Sequence, residues 1–258
     1  MRKETARENG QDKETDRLRK RDWERSGGNV RQTRTKTMIS IAALLFGSIL
    51  LLVLGAVVFR EKRYAWISIG IAVLSCAVML HSFDRRHTHI RRMVFVSVMT
   101  ALSVAGRFLF AVIPAFKPMT AVIVMTGMYF GVEAGFLCGA LTAVLSNFYF
   151  GQGPWTPFQM VSFGIIGLLA GVLHKPLKAS RAALVFYGVF AGMLYSLIMD
   201  VWTILWSQAS FDPDMYAAAI LAASPFTLLY SISNVIFLLL MRRPLGARLQ
   251  RVITKYGV

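Results

Sequence analysis

From residue 38 to residue 241 the chain alternates long apolar runs with short polar breaks. The runs cover 38–59, 64–82, 93–113, 119–130, 134–150, 158–173, 182–207 and 216–241. A helix needs about 20 apolar residues to cross the hydrocarbon of a bilayer, and this pattern predicts eight membrane-spanning segments. The first two, joined by Arg60, Glu61, Lys62 and Arg63, predict a helical hairpin at 38–83. A break at 84–92 holding Arg85, Arg86, Arg91 and Arg92 separates the hairpin from six further segments at 92–243. Within that block the run at 119–130 is short, and little but Gly131, Val132 and Glu133 divides it from the next, so a tight turn is required there. The predicted fold is therefore all-α, a polytopic membrane protein with a six-helix bundle preceded by an accessory two-helix transmembrane hairpin.

Composition agrees with this reading. Mean hydropathy is +0.54, with 55% hydrophobic and 16% charged residues, outside the soluble globular range. The net charge of +16 would suggest a nucleic-acid partner in a soluble protein. Here the basic residues lie in tails and between apolar runs, where they orient a membrane protein, and no nucleic-acid partner is expected. Residues 1–37 carry twelve Lys/Arg and seven Asp/Glu with few large apolar side chains, which predicts a disordered cytoplasmic tail; residues 244–258 predict a second basic cytoplasmic tail. By the positive-inside rule both termini of this cell-membrane, multi-pass chain face the cytoplasm, and the connections at 114–118, 150–157 and 208–215 face outward. The basic turn at 60–63 runs against that orientation.

Candidate chemistry centres on residues 148–160. Gly151, Gly153, Pro154 and Pro157 interrupt helix formation, while Gln152, Trp155, Thr156 and Gln159 supply recognition groups. The stretch is either the lip of a ligand site or an interfacial turn anchored by Tyr149 and Trp155. Beyond the first tail six acids remain: Glu61, Asp84, Glu133, Asp200, Asp212 and Asp214. Of these Asp200 lies deep in a run. Counting back from Ser207 and from Pro114 places Asp200 and Arg107 at one depth, roughly 10 Å below the outer surface. That predicts an Arg107–Asp200 pair, two walls of one cavity, or a purely structural ion pair. Trp155, Phe158, Trp202, Trp206, Phe108 and Phe110 thicken the same level, and Asn147, one turn below Gly151, needs hydrogen-bond partners in lipid. Small residues at Ser97, Ala101 and Ala105, and glycines at 127, 131, 135 and 139, at 167 and 171, and at 188 and 192, mark faces for close helix approach.

Cys76 and Cys138 sit in apolar runs and read as buried thiols. His81, His87 and His89 lie among arginines that repel a cation, so no metal site is expected. There is no phosphate-binding loop and no catalytic set at one depth, so the chain is expected not to be an enzyme and to bind no cofactor of its own.

The chain resembles the substrate-binding S components of energy-coupling factor (ECF) vitamin transporters over residues 92–243. The resemblance rests on Gly106-Arg-Phe-Leu-Phe110, Lys117-Pro-Met-Thr120, Gly131-Val-Glu-Ala-Gly135 and above all Ser146-Asn-Phe-Tyr-Phe-Gly-Gln-Gly-Pro-Trp-Thr-Pro-Phe-Gln-Met160. It implies a six-helix bundle that captures a vitamin-like compound from outside and joins a membrane scaffold (T) subunit and two cytoplasmic ATPases, which use the ATP. Ala101 and Ala105, with Ser97, match a scaffold-contact pattern. Ligand contacts would come from the outer loops, including Lys117, Gln152, Trp155, Thr156 and Gln159, with Arg107, Asn147, Asp200 and Trp202 below them. Of a polar set common in the last helix of relatives, Asn234 is kept, while Thr227 and Tyr230 stand at the other places. A cobalamin-like corrinoid is the first expected substrate. A self-sufficient secondary transporter and a non-transport scaffold or assembly protein are the competing classes.

Overall fold

The computed structural model describes residues 90–208 and 212–256; the predicted tail at 1–37 and hairpin at 38–83 lie outside the described residues. These form α1 (Ile90–Leu109), α2 (Met119–Phe130), α3 (Val132–Phe150), α4 (Thr156–Val172), α5 (His174–Ala179), α6 (Arg181–Gln208), α7 (Pro213–Arg242) and α8 (Pro244–Tyr256). Four of them, α1, α3, α6 and α7, are long and apolar enough to cross a membrane, and α2 and α4 are shorter apolar helices. These are the six segments predicted for 92–243, and the protein is a multi-pass helical membrane bundle. The 12 residues of α2 span about 18 Å, short of the hydrocarbon thickness. The helix can be short because nearly all of it is buried: protein rather than lipid surrounds it.

Glycine determines how closely α2, α3 and α4 approach. A Cβ on Gly135 would meet the carbonyl of Gly167, one on Gly139 the carbonyl of Phe163, and one on Gly171 the backbone of Val132. These helices therefore touch backbone to backbone, as the four-residue spacing of small residues predicts. Gly131 ends α2 and starts α3 with φ of 94°, a conformation that side-chain-bearing residues rarely adopt, and so supplies the tight turn. On the other side, Gly188 and Gly192 of α6 lie against Val235 and Ser231 of α7. Pro225 sits inside α7 and has no N–H for the Leu221 carbonyl. The Ser224 hydroxyl donates to that carbonyl at 2.7 Å instead, so the long helix continues past the proline.

One expectation is corrected, and two segments gain detail. The run at 93–113 is not all helix: α1 stops at Leu109 and turns follow. The connection after it docks on α7. The Lys117 amide donates to Ser233 Oγ at 2.9 Å and the Ser233 hydroxyl donates to the Lys117 carbonyl at 3.3 Å, while Phe110 and Phe116 pack on Phe237. Irregular backbone in a membrane protein must be satisfied by protein in this way. Finally, most of the predicted basic tail at 244–258 is helical. In α8, Gly246 and Leu249 are buried while Arg248, Arg251 and Lys255 stay exposed, and Gly246 abuts Tyr129 of α2. At this end Arg92 donates to the Phe130 carbonyl at 2.6 Å and lies 3.6 Å from Glu133, and Arg242 donates to the Lys178 carbonyl.

Candidate ligand site

Asn147 is the node of a polar chain that crosses the bundle. It is 1% exposed, on the last turn of α3, and uses both ends of its carboxamide. Arg107 Nη1 donates to Asn147 Oδ1 at 2.9 Å and to Ser146 Oγ at 2.5 Å. Asn147 Nδ2 donates to Thr156 Oγ1 at 2.9 Å and to Gln159 Oε1 at 2.8 Å. Gln159 Nε2 continues the chain to the Tyr195 hydroxyl of α6 at 3.2 Å. Tyr195 stacks on Phe163 and packs on Tyr230, whose hydroxyl lies 2.5 Å from Thr120 Oγ1. One series of contacts thus joins α1, α3, α4, α6, α7 and α2.

The loop between α3 and α4 is built onto this chain. Gly151 caps α3 with φ of 105° and its amide reaches the Asn147 carbonyl. The Thr156 hydroxyl donates to Gln152 Oε1 at 3.0 Å and accepts from the Gly153 amide at 3.3 Å, and Gln152 Nε2 holds the Val144 carbonyl. Trp155 folds back over Gly153 and meets Trp202 edge to face at 5.8 Å; Trp202 in turn stacks on the half-exposed Trp206. Pro157 in the first turn of α4 uses a position where no amide is needed.

Lys117 joins from the α1–α2 connection. Its Nζ lies 5.7 Å from the centroid of the Phe150 ring, over which the Arg107 guanidinium sits at 4.6 Å. Burial, and then the neighbouring Arg107 charge, holds the Lys117 ammonium below its ordinary range.

The structure therefore brings Arg107, Lys117, Asn147, Gln152, Thr156 and Gln159 together, with Trp155 and Trp202 paired beside them. It does not bring in Asp200. Arg107 occupies the last turn of α1, and its partners are on α3. Asp200, 9% exposed, faces a groove of about 630 Å³ between α6 and α7 with Met193, Ser196, Thr227 and Leu228. The predicted Arg107–Asp200 pair is absent among the described residues. Ser146, Tyr195, Tyr230 and Thr120 belong to the polar chain but were not among the expected ligand-contact residues. Ser97, Ala101 and Ala105 are exposed on α1.

Residues 87–251 match the family model of the ECF-type riboflavin transporter S component. The chain belongs to this family of energy-coupling factor S components. No curated protein and no solved structure matches it. S components are the substrate-binding subunits of transporters rather than enzymes, and they work with ECF scaffold and ATPase modules.

Proposed function

We propose that this S component captures a vitamin from outside the cell through the site built on Asn147, and that the vitamin is of the riboflavin class. The observation that carries the reading is the hydrogen-bonded chain from Arg107 through Asn147 to Thr156 and Gln159. It fixes the α3–α4 loop to the interior and supplies directional polar groups beside the Trp155–Trp202 pair. A largely apolar, aromatic wall with a few placed polar contacts suits a flat heterocycle. The family's description names riboflavin, whereas nothing on the site favours a corrinoid, so riboflavin replaces cobalamin as first choice.

Delivery would need a T subunit and two ATPases, with Ala101 and Ala105 giving α1 a smooth face for the scaffold, both termini cytoplasmic, ATP used by the partners and no cofactor held by this chain. The test is a thermal melt of the purified chain against riboflavin, corrinoids and the other B vitamins, since a ligand that binds the native state raises its stability by mass action. Riboflavin should raise the melting temperature. A corrinoid hit instead would reassign the substrate, and no hit in the panel would sink vitamin capture. Gradient-driven uptake by the chain alone in proteoliposomes would favour a self-sufficient secondary transporter.

A further inference from the structure

Arg107 and Lys117 bring two positive charges to one aromatic ring, that of Phe150, the last residue of α3 before the loop. Among the described residues neither meets a carboxylate. The ion pair of Arg92 with Glu133 lies at the opposite end of α3, and Asp200 faces the α6–α7 groove. Their hydrogen-bonding capacity is also largely unspent. Of the five N–H donors of a guanidinium, Arg107 directs Nη1 alone at Ser146 and Asn147. Lys117 is held through its backbone, and its ammonium donates to no described residue. The C-terminal end of α1 and the face of Phe150 each favour a cation, but neither supplies a negative charge. Both side chains stay partly exposed, so a solute can reach them.

We propose that Arg107 and Lys117 hold an anionic group of the captured compound, and that the substrate class is a ring compound carrying a phosphate. The guanidinium presents two parallel donors to phosphate oxygens and the ammonium a third, while the neighbouring aromatic rings take the ring portion. This rests on the capture reading above and narrows it: a flavin bearing a phosphate ester binds more tightly than riboflavin itself.

The experiment compares riboflavin with riboflavin 5′-phosphate by flavin fluorescence, using the full chain in maltoside micelles that contain no lipid phosphate. The expected result is a preference of about tenfold for the phosphate ester. Lys117→Gln should lower that ratio severalfold and Lys117→Arg should retain it. Lys178→Gln, at the other end of the bundle, should leave it unchanged. Equal affinities, tighter riboflavin binding, or a preference that survives Lys117→Gln would overturn the assignment. Phosphatidylglycerol added to the micelles separates solute from headgroup: if it abolishes the preference, the pair is a lipid site and the solute assignment is lost. If neither flavin binds, the riboflavin reading fails, and inorganic pyrophosphate decides the anion pair. Thermal stabilisation by pyrophosphate that disappears in Lys117→Gln would uphold it, and no stabilisation would overturn it.

Discussion

Replacing Asn147 tests whether the polar chain holds the loop. Asn147→Ala removes one bond from a charged donor and two bonds to neutral partners. Neutral hydrogen bonds contribute about 1 kcal/mol each and charge-assisted ones about 2 kcal/mol, so the loss is about 4 kcal/mol. Part of it comes from leaving Gln159 Oε1 buried without its donor. For a bundle of this size that corresponds to an apparent melting temperature lower by on the order of 10 °C.

Asn147→Asp makes a sharper prediction, because the neutral partners of Asn147 can reorient. The new carboxylate keeps the acceptor facing Arg107. Gln159 can turn its amide to donate through Nε2, and the Tyr195 hydroxyl can then donate to Gln159 Oε1; Thr156 can turn its one proton from Gln152 Oε1 to the new carboxylate. The gain of a charge beside Arg107 offsets the lost amide donors, so Asn147→Asp should lie within about 1 kcal/mol of the parent. The assay is tryptophan emission during thermal unfolding in micelles, with Trp155 and Trp202 as reporters close to the change. An aspartate variant as damaged as the alanine variant would refute the reversal argument. An alanine variant of unchanged stability would refute the chain as a structural element altogether.

Trp155→Ala should weaken vitamin binding about tenfold while the protein still inserts, because the tryptophan lines the loop and its edge contact with Trp202 contributes about 1 kcal/mol; titration and membrane fractionation check the two halves. Gly135→Ala should fail to give a monodisperse protein, since the added Cβ would lie 2.6 Å from the Gly167 carbonyl carbon, whereas Gly188→Ala, which meets the Val235 side chain at 3.0 Å, should cost about 1 kcal/mol; size-exclusion profiles separate these outcomes. Ala101→Leu should leave ligand binding intact and reduce co-purification with the T subunit severalfold, because it roughens the exposed α1 face; undiminished co-purification would move the scaffold contact elsewhere.

The six helices of 92–243 were legible because length and hydropathy dictate spanning segments almost regardless of what surrounds them. Helix ends were less so. Residues 110–113 continue the apolar run after α1 has ended: Phe110 packs with Phe116 on Phe237, while Val112 and Ile113 are exposed, so apolarity there does not report helix. Asn147 was found as a carboxamide in an apolar run, whose bonding needs are obligatory. Ser146 and Tyr195, which bond Arg107 and Gln159 further along the chain, were not, because which side chains meet across helices depends on each helix's rotation. Pairing Arg107 with Asp200 failed for the same reason: counting residues fixes depth and leaves azimuth open, and the end of α1 used for the count was itself misplaced. The α8 helix was legible in principle from its apolar positions at Leu245, Leu249, Val252 and Ile253, but the arginines among them read as a tail.

The two halves of the bundle differ in how they can yield. α3 packs most heavily on α4, and α6 on α7, while contacts between α4 and α6 are sparser. Backbone contact at Gly135, Gly139 and Gly167 leaves the α2–α4 group no room to deform, because a carbonyl cannot move aside as a side chain can. Asn147 is therefore mounted on the stiffer group, and Arg107 is tied to it from α1. They reach the α6–α7 pair through Gln159–Tyr195 at 3.2 Å, Phe163–Tyr195 and Trp155–Trp202, with the Tyr230–Thr120 and Tyr187–Ile166 hydrogen bonds crossing the same seam deeper in the bundle. Strain applied to the bundle falls on its softest contacts, so opening of the site would run along this seam, with Trp155 and Gln159 carried on α4 and Trp202 and Tyr195 on α6. A ligand bridging those residues would stabilise the closed arrangement alone, and by linkage its affinity would be set as much by the cost of closing the seam as by the groups that touch it.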